Sequence, residues 1–115
     1  MTDAPLSITK QPNTPDHAAV LLLEGPIVIA HLFQFQTALR SHTVRLIVLD
    51  LAGVPYMDSS GMGAILNAYV SCEKCGNKLV LTGVNARVKA LLELTRVDTI
   101  LKLYPDAAAA LAAHQ

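Results

Sequence analysis

The stretch from residue 46 to residue 66, LIVLDLAGVPYMDSSGMGAIL, contains a strand, a short connection and the start of a helix. Its first part, with Arg45 before it, is apolar on both faces, which is typical of a central strand covered on each side. After Asp58, apolar residues recur at helical intervals as far as Gly76, where we expect the helix to end. This order of strand, turn and helix is typical of an α/β fold.

The flanking sequence repeats the alternation of strands and helices. Short apolar runs bounded by turn residues predict strands over residues 18–24, 45–51, 78–82 and 100–104. Periodic apolar positions predict further helices over residues 30–41, after an N-cap at Asn85, and over residues 106–114. In the first of these helices we expect Phe33 and Phe35 on one broad buried face. The pattern predicts an α/β sandwich, and whether its helices cover one face or both stays open.

Length and composition restrict the class of protein. The chain has 115 residues, of which 52% are hydrophobic and 16% charged, so intrinsic disorder is excluded. We expect one domain over residues 1–115, with a short edge strand and a Pro-rich loop in residues 1–17 and the core in residues 18–113. Nine basic and nine acidic residues cancel, so we expect no direct nucleic-acid partner.

The apolar runs and the N-terminal residues bear on location. No apolar run approaches the roughly 18 residues that a membrane span needs. The first residues, MTDAP, show neither the basic region nor the apolar region of a secretory signal. We therefore expect a cytoplasmic protein with no membrane partner, and the oligomeric state stays open.

The segment MDSSGMG, residues 57–63, is the strongest candidate for function. Asp58 and Ser59 stand where a helix begins, and the first N–H groups of a helix carry partial positive charge that favours an anion. A phosphate on Ser59 would add about −1.5 to −2 charge at this helix end. The spacing alone leaves a second interpretation open, in which Asp58 or Ser59 is only a helix cap.

Residues 46–66 resemble the central segment of STAS domains, the family of bacterial anti-sigma factor antagonists. The shared pattern is an apolar strand, a short loop, Asp-Ser-Ser-Gly, a hydrophobic residue, Gly and a helix. The resemblance covers residues 18–113, and it includes LVLTG at 79–83, RVKALLELT at 87–95 and LYPD at 103–106. It implies an α/β, STAS-like sandwich with a mixed sheet of four to five strands and helices packed mainly on one face.

The resemblance also implies a function. In the family, the first serine after the aspartate, here Ser59, is phosphorylated in a partner-switching circuit that regulates transcription. The unphosphorylated antagonist binds an anti-sigma factor that is also a serine kinase, phosphorylation breaks the complex, and a serine phosphatase restores it. Small residues beside Ser59 allow a partner backbone to approach, and Asn67 lies two turns further along the helix. The expected partner-binding residues are Asp58, Ser60, Gly61, Met62, Gly63 and Asn67.

One position departs from the family pattern and leaves the partner open. Sporulation-type members carry an aspartate in the loop after the second strand, in the order Gly-x-hydrophobic-Asp. Here the matching run is GPIV at residues 25–28, and the apolar Val28 takes the place of the aspartate. Val28 is thus a candidate for a different partner surface. An alternative function is a STAS scaffold or ligand-sensing module that is never phosphorylated.

The remaining motifs indicate no metal site. Cys72 and Cys75 have the spacing of a redox or zinc pair, but they lie near the C-terminal end of a helix, where the dipole opposes a thiolate. Zinc would need two further ligands, and the four histidines have no ligand-like spacing. We therefore expect free thiols, no metal and no other cofactor.

Enzyme motifs are also incomplete. Leu66 stands where a dinucleotide-binding motif would have its third glycine, and no phosphate-binding Gly-Lys-Ser/Thr is present. A serine hydrolase with Ser59 as the nucleophile is a less favoured alternative, because the flanking residues are Met57 and Gly61 rather than two glycines and the only downstream histidine is His114. We expect a protein that binds partners and is not an enzyme.

Overall fold

The computed structural model describes residues 4–114, in which five strands alternate with four α-helices. The strands are β1 (Ser7–Lys10), β2 (Ala18–Glu24), β3 (Leu46–Gly53), β4 (Lys78–Thr82) and β5 (Leu103–Tyr104). The α-helices are α1 (Leu32–Arg40), α2 (Ser59–Lys74), α3 (Ala86–Leu94) and α4 (Ala107–Ala113), and 3-10 turns occupy Ile29–His31 and Val97–Thr99. Residues 1–3 of the predicted N-terminal segment, and Gln115, lie outside the described residues.

The strands form one mixed sheet in the order β1-β2-β3-β4-β5. β1 runs antiparallel to β2, and the other neighbouring pairs are parallel. The parallel pairs follow from the chain order, because β2, β3 and β4 are each followed by a helix that returns the chain to the same end of the sheet. The prediction of a mixed sheet is confirmed.

Side chains of the parallel strands alternate between two core clusters. Leu21, Leu49 and Leu81 are aligned across β2, β3 and β4, and they pack with buried residues of α1, α2 and α3. The neighbouring row of valines lies on the opposite face, where it packs against Ala110 of α4. Three helices thus cover one face and α4 covers the other, which agrees with the expectation of helices mainly on one face.

Most helices and strands have bounds close to those predicted from the sequence, but the last strand is shorter than predicted. We expected a strand over residues 100–104, but β5 contains only Leu103–Tyr104. Arg96 has a left-handed backbone (φ 62°) that turns the chain. The N–H groups of Ile100 and Leu101 then donate to the carbonyl of Val97, both at 3.0 Å. These residues therefore close a turn instead of pairing with β4.

Helix caps fix where α3 and α4 begin. Asn85 accepts a hydrogen bond from Val88 N at 2.8 Å, so its predicted role as the N-cap of α3 is confirmed. Asp106 accepts from Ala109 N at 2.8 Å and caps α4 in the same way. The predicted helix over residues 30–41 begins as the 3-10 turn Ile29–His31 and becomes α-helical at Leu32.

Candidate functional site at the start of helix α2

Asp58 fixes the beginning of α2 and joins it to the turn before α1. Its backbone is extended, and its Oδ1 accepts a hydrogen bond from Gly61 N at 3.1 Å, which is the geometry of an N-cap. Its Oδ2 accepts from Ile29 N at 3.0 Å. The capping role is therefore present at Asp58, and both oxygens of the carboxylate hold backbone groups from two different elements.

Backbone hydrogen bonds also join the loop that follows β2 to the loop that follows β3. Asp58 N donates to Ile27 O at 3.1 Å, Ile27 N donates to Tyr56 O at 3.1 Å, and Ile27 forms a parallel bridge with Met57. The loop after β2 is thus paired with the loop after β3. This pairing brings the turn at Ile29–His31 beside the first residues of α2.

Residues at the start of α3 also contact the loop between β3 and α2. The side-chain amide of Asn85 donates to Val54 O at 2.9 Å. The guanidinium of Arg87 lies over the ring of Tyr56, 5.1 Å from its centroid, in a cation–π arrangement. The loop between β3 and α2 is therefore held by two neighbouring elements, and the position of Ser59 follows from that frame.

The two glycines in the first turns of α2 have different surroundings. A Cβ atom on Gly61 would lie 2.6 Å from Ile27 Cγ2 and 2.7 Å from Ile27 O, so only glycine fits without a shift of the backbone. A Cβ atom on Gly63 would meet nothing within 4 Å. Gly61 is therefore a packing requirement of the fold, whereas Gly63 leaves open space on the surface of α2.

Ser59 is exposed at the first position of α2, and Ser60 is half-buried. Among the hydrogen bonds of residues 4–114, Gly61 N and Met62 N donate to Asp58, whereas the N–H groups of Ser59 and Ser60 and the hydroxyl of Ser59 have no partner. Unpaired N–H groups at a helix start carry partial positive charge. The first turn of α2 therefore has two free donors beside an exposed hydroxyl.

The residues expected at a partner surface divide into two groups. Ser59, Gly63 and Asn67 follow each other at intervals of four on α2, which places them on one face, and Ser59 and Asn67 are exposed. Gly61 and Met62 are buried, and the sulfur of Met62 accepts a hydrogen bond from Thr95 Oγ1 at 3.1 Å. These two residues hold α2 in place and are not part of the exposed face.

Two exposed apolar side chains, one on the turn that Asp58 holds and one in the first turn of α1, were not predicted from the sequence. Ile29 is 70% exposed and Phe33 is 83% exposed. The prediction that Phe33 belongs to the buried face of α1 was wrong. Val28, which we considered for a partner surface, is only 7% exposed and belongs to the interior. The sequence contained a signal for the exposure of Phe33. Residues two positions apart in a helix are separated by about 200° around its axis, so Phe33 and Phe35 point in nearly opposite directions.

His114, the only histidine that follows Ser59 in the sequence, is not near Ser59. His114 follows α4, which covers the opposite face of the sheet, and its Nε2 lies 3.0 Å from Tyr104 Oη. It cannot act as the general base for Ser59 from that position. The geometry therefore argues against the Ser59–His114 pair on which the hydrolase alternative depends.

The two cysteines occupy the last turn of α2 and its C-cap. Cys72 is half-buried and Cys75 is exposed, and both are free thiols. Burial raises the pKa of the Cys72 thiol, and the neighbouring Cys75 and Glu73 raise it further. A raised pKa disfavours the thiolate that redox chemistry or metal binding needs.

The described residues contain neither a metal cluster nor a helix that could span a membrane. Within residues 4–114, no group of three His, Cys, Asp or Glu side chains is placed to hold a metal ion. In the same range, no helix has the length and apolar character needed to cross a membrane.

Comparison with known proteins finds a family model, curated relatives and solved structures that match this chain. Residues 9–110 match the family model described as STAS domain. The chain is 32% identical over 73 residues to an anti-sigma F factor antagonist from Paenibacillus polymyxa, a match that covers 64% of this chain and 62% of that protein. An anti-sigma factor antagonist from Mycobacterium paratuberculosis matches in structure with a TM-score of 0.84 at 20% identity, over 97% of both chains.

A transporter domain has the same fold. The STAS domain of a SulP transporter from Vibrio cholerae is 30% identical, with a TM-score of 0.71 over 89% of this chain and 84% of that domain. At 20% identity, the mycobacterial likeness supports the fold alone. The chain covers less than two thirds of the length of the curated relatives it matches. What those relatives bind therefore does not by itself assign a partner to this chain.

Proposed function

This chain belongs to the STAS domain family, and we propose that it is an anti-sigma factor antagonist switched by phosphorylation of Ser59. The partner is an anti-sigma factor with serine kinase activity, and a serine phosphatase reverses the modification. The similarity to the Paenibacillus anti-sigma F factor antagonist supports this class of partner. A regulator of this class acts on transcription without touching nucleic acid, and we assign it to the cytoplasm.

The observation that carries the proposal is the geometry around Asp58. Its carboxylate holds Ile29 N and Gly61 N at 3.0 and 3.1 Å, and the adjacent Ser59 is left exposed with an unbonded hydroxyl in the described structure. A kinase can reach that hydroxyl without local unfolding. In the transfer, Ser59 Oγ bonds to the γ-phosphorus of ATP, ADP leaves, and the hydroxyl proton passes to the kinase.

The phosphate acts through charge. Asp58 already places one negative charge at the start of α2, and a phosphate on Ser59 adds about −1.5 to −2 more. The free N–H groups of Ser59 and Ser60 allow the helix end to tolerate this charge, so the fold is retained. A partner with an acidic or nucleotide-bearing surface meets repulsion, and like charges across an interface cost several kcal/mol.

That magnitude is sufficient for a switch. A change from about 99% bound to about 1% bound needs about 5.5 kcal/mol of differential affinity. One phosphate in a close interface is on that scale, and no large refolding of the antagonist is needed. We propose that the contact face contains Ser59, Ser60, Gly63 and Asn67, and that the buried Gly61 and Met62 and the carboxylate of Asp58 keep this face in position.

The exposed apolar residues extend the proposed contact face. Ile29 is bonded through its N–H to Asp58, and Phe33 follows it by one helical turn. Aromatic side chains at the centre of an interface often contribute most of its binding energy. We propose that Phe33 enters an apolar pocket of the anti-sigma factor, in place of the polar contact that an aspartate makes in other family members.

Phosphosite mapping tests the proposal. The chain is incubated with ATP and each serine kinase of the anti-sigma type from the same genome, and the phosphate is located by mass spectrometry. We expect modification of wild type and Ser60→Ala and none of Ser59→Ala. Phosphate on Ser60 alone would refute the residue assignment, and no modification by any such kinase would refute the switch.

Binding measurements test the consequence of the charge. We expect Ser59→Asp to weaken binding to the confirmed kinase partner and Ser59→Ala to leave it nearly unchanged. The effect of aspartate is partial because it carries about one charge and lacks the geometry of a phosphate. Ser71→Asp is the matched control, since it adds the same charge to an exposed residue of α2 three turns away. Equal weakening by both variants would contradict a local switch.

A scaffold or ligand-sensing module is the second candidate function. Its support is the 30% identity to a transporter STAS domain. A module of this kind would bind its partner with the same affinity whether or not Ser59 is modified. The affinity of the partner for the phosphorylated and the unphosphorylated chain therefore separates the two functions.

A further inference from the structure

A cavity of about 320 Å³ opens between the C-terminal half of α1 and the middle and end of α2. Its base is apolar and is formed by Leu39, Ile47, Ala64 and Ala68. Ligand sites commonly have volumes of about 300 Å³ or more and combine an apolar base with a few polar groups. The cavity is therefore at the lower end of the size range of small-molecule sites.

Polar side chains around this cavity have no hydrogen-bond partner within the described residues 4–114. Besides His42 and the two cysteines, six polar residues line it: Gln36, Arg40, Thr43, Asn67, Ser71 and Asn77. Within residues 4–114, none of the six side chains takes part in a hydrogen bond or an ion pair. Amide and hydroxyl groups that converge on one space without internal partners are available to a ligand or to water.

The charge of the lining is positive. Arg40 is its only permanently charged side chain, and no Asp or Glu belongs to the lining. Burial and the neighbouring Lys10 lower the pKa of His42, so its imidazole is neutral at pH 7. The raised pKa of the Cys72 thiol keeps that group neutral as well. One guanidinium therefore faces the cavity with no carboxylate beside it.

The C-terminal dipoles of α1 and α2 oppose an anion at this place, whereas the guanidinium of Arg40 attracts it. A helix C-terminus disfavours a nearby anion by about two- to fivefold in affinity. Part of that charge is already neutralised, because Ser41 Oγ donates to Thr37 O at 2.7 Å and Asn77 N donates to Cys72 O at 2.8 Å. A charge-assisted bond from a guanidinium to a carboxylate favours binding by about tenfold or more.

We propose that this cavity binds a small organic carboxylate, with its carboxylate on Arg40 and its apolar part over the alanines of α2. The volume corresponds to about ten water molecules at about 30 Å³ each, which suits a ligand of about ten non-hydrogen atoms. The site uses neither Ser59 nor Asp58 and shares only Asn67 with the proposed contact face. Because the probes are titrated without a partner or a kinase, failure of this proposal can be distinguished from failure of the phosphorylation switch.

Benzoate and its neutral analogue benzamide are the probes. Each is titrated into the full ¹⁵N-labelled chain, and amide shifts are followed by NMR. A ligand of about nine non-hydrogen atoms has a dissociation constant of about 10 mM or tighter even at low efficiency. We expect shifts confined to residues 36–47 and 64–77, which include every lining residue, and binding of benzoate about fivefold tighter than that of benzamide.

Three variants locate the site. Arg40→Gln should remove the preference for benzoate, and Lys74→Gln, which removes an exposed charge of α2 outside the lining, should keep it. Ala68→Leu should fill the base and abolish binding of both probes. Circular dichroism melting shows that each variant is folded. The proposal is overturned by no binding of benzoate at about 10 mM, by equal binding of the two probes, or by shifts outside the two segments. Equal effects of Arg40→Gln and Lys74→Gln also overturn it.

Discussion

Replacement of Gly61 and of Gly63 by alanine should have opposite effects on stability, although the two glycines are two residues apart in one helix. At Gly61 the new Cβ atom would lie 2.6 Å from Ile27 Cγ2 and 2.7 Å from Ile27 O. Ordinary contacts of a Cβ atom begin at 3.4 Å, so α2 must move away from Ile27. At Gly63 the Cβ atom has open space.

The magnitudes follow from these contacts. An alanine in place of a glycine inside a helix is worth about 1 kcal/mol in the free energy of unfolding. For Gly63→Ala nothing opposes this gain, so we expect a stabilisation of about 1 kcal/mol. For Gly61→Ala, overpacking costs about 1 to 3 kcal/mol. The movement also lengthens the bond from Asp58 N to Ile27 O, which is worth about 1 kcal/mol. The net expectation is a destabilisation of about 1 to 3 kcal/mol.

Urea denaturation followed by circular dichroism measures both variants against wild type. We expect the midpoint to rise for Gly63→Ala and to fall for Gly61→Ala, with unchanged slopes. If both variants were stabilised by the same amount, the close approach of α2 to Ile27 would be refuted. Binding to the confirmed partner adds a second readout. Gly63→Ala should weaken it despite greater stability, because the methyl group occupies surface that we assign to the partner.

Three further predictions concern neighbouring features. Asp58→Asn should keep the cap of α2 but lose the bond to the turn before α1, so we expect a loss of about 1 kcal/mol in the free energy of unfolding, against about 1 to 3 kcal/mol for Asp58→Ala. Equal losses in urea denaturation would show that the second bond contributes nothing. Phe33→Ala should weaken partner binding at least about tenfold with no fall in melting temperature, because the side chain is 83% exposed; unchanged affinity would remove Phe33 from the interface. The double change Cys72→Ser, Cys75→Ser should leave partner affinity unchanged and lower stability by about 1 kcal/mol or less, through lost packing at the half-buried Cys72. Loss of partner binding in a variant that still melts cooperatively would reveal a functional role of the thiols.

The local sequence predicts those elements whose ends are set by local chemistry. The strands at 18–24 and 78–82 have the expected bounds because turn residues, Gly25 and Gly83 among them, close each apolar run. The N-cap at Asn85 could be predicted for the same reason. The shortened β5 could not, because the left-handed backbone of Arg96 is not encoded by a glycine or a proline.

The site was predictable only in part, because its geometry is tertiary. The sequence indicated that a helix begins near Asp58, and it indicated Ser59 as the residue to test. It did not indicate that the second carboxylate oxygen holds Ile29 N, a contact 29 residues away in the chain. Nor did it separate the buried Gly61 from the open Gly63, since that difference depends on where Ile27 lies.

Asp58 accepts two hydrogen bonds, and these reconcile the two interpretations of this segment, as a helix cap and as the site of a phosphorylation switch. A carboxylate with one free oxygen could rotate away from a phosphate on the next residue and reduce the repulsion. Here Oδ1 is held by Gly61 N and Oδ2 by Ile29 N, so rotation would break a bond to α2 or to the turn before α1. The negative charge of Asp58 therefore stays beside Ser59, and the repulsion is directed at a partner or at the bond to Ile29. Repulsion at the partner weakens the complex directly, whereas loss of the bond to Ile29 releases only the turn that leads to Phe33. The cap is thus the feature that would make phosphorylation of Ser59 effective.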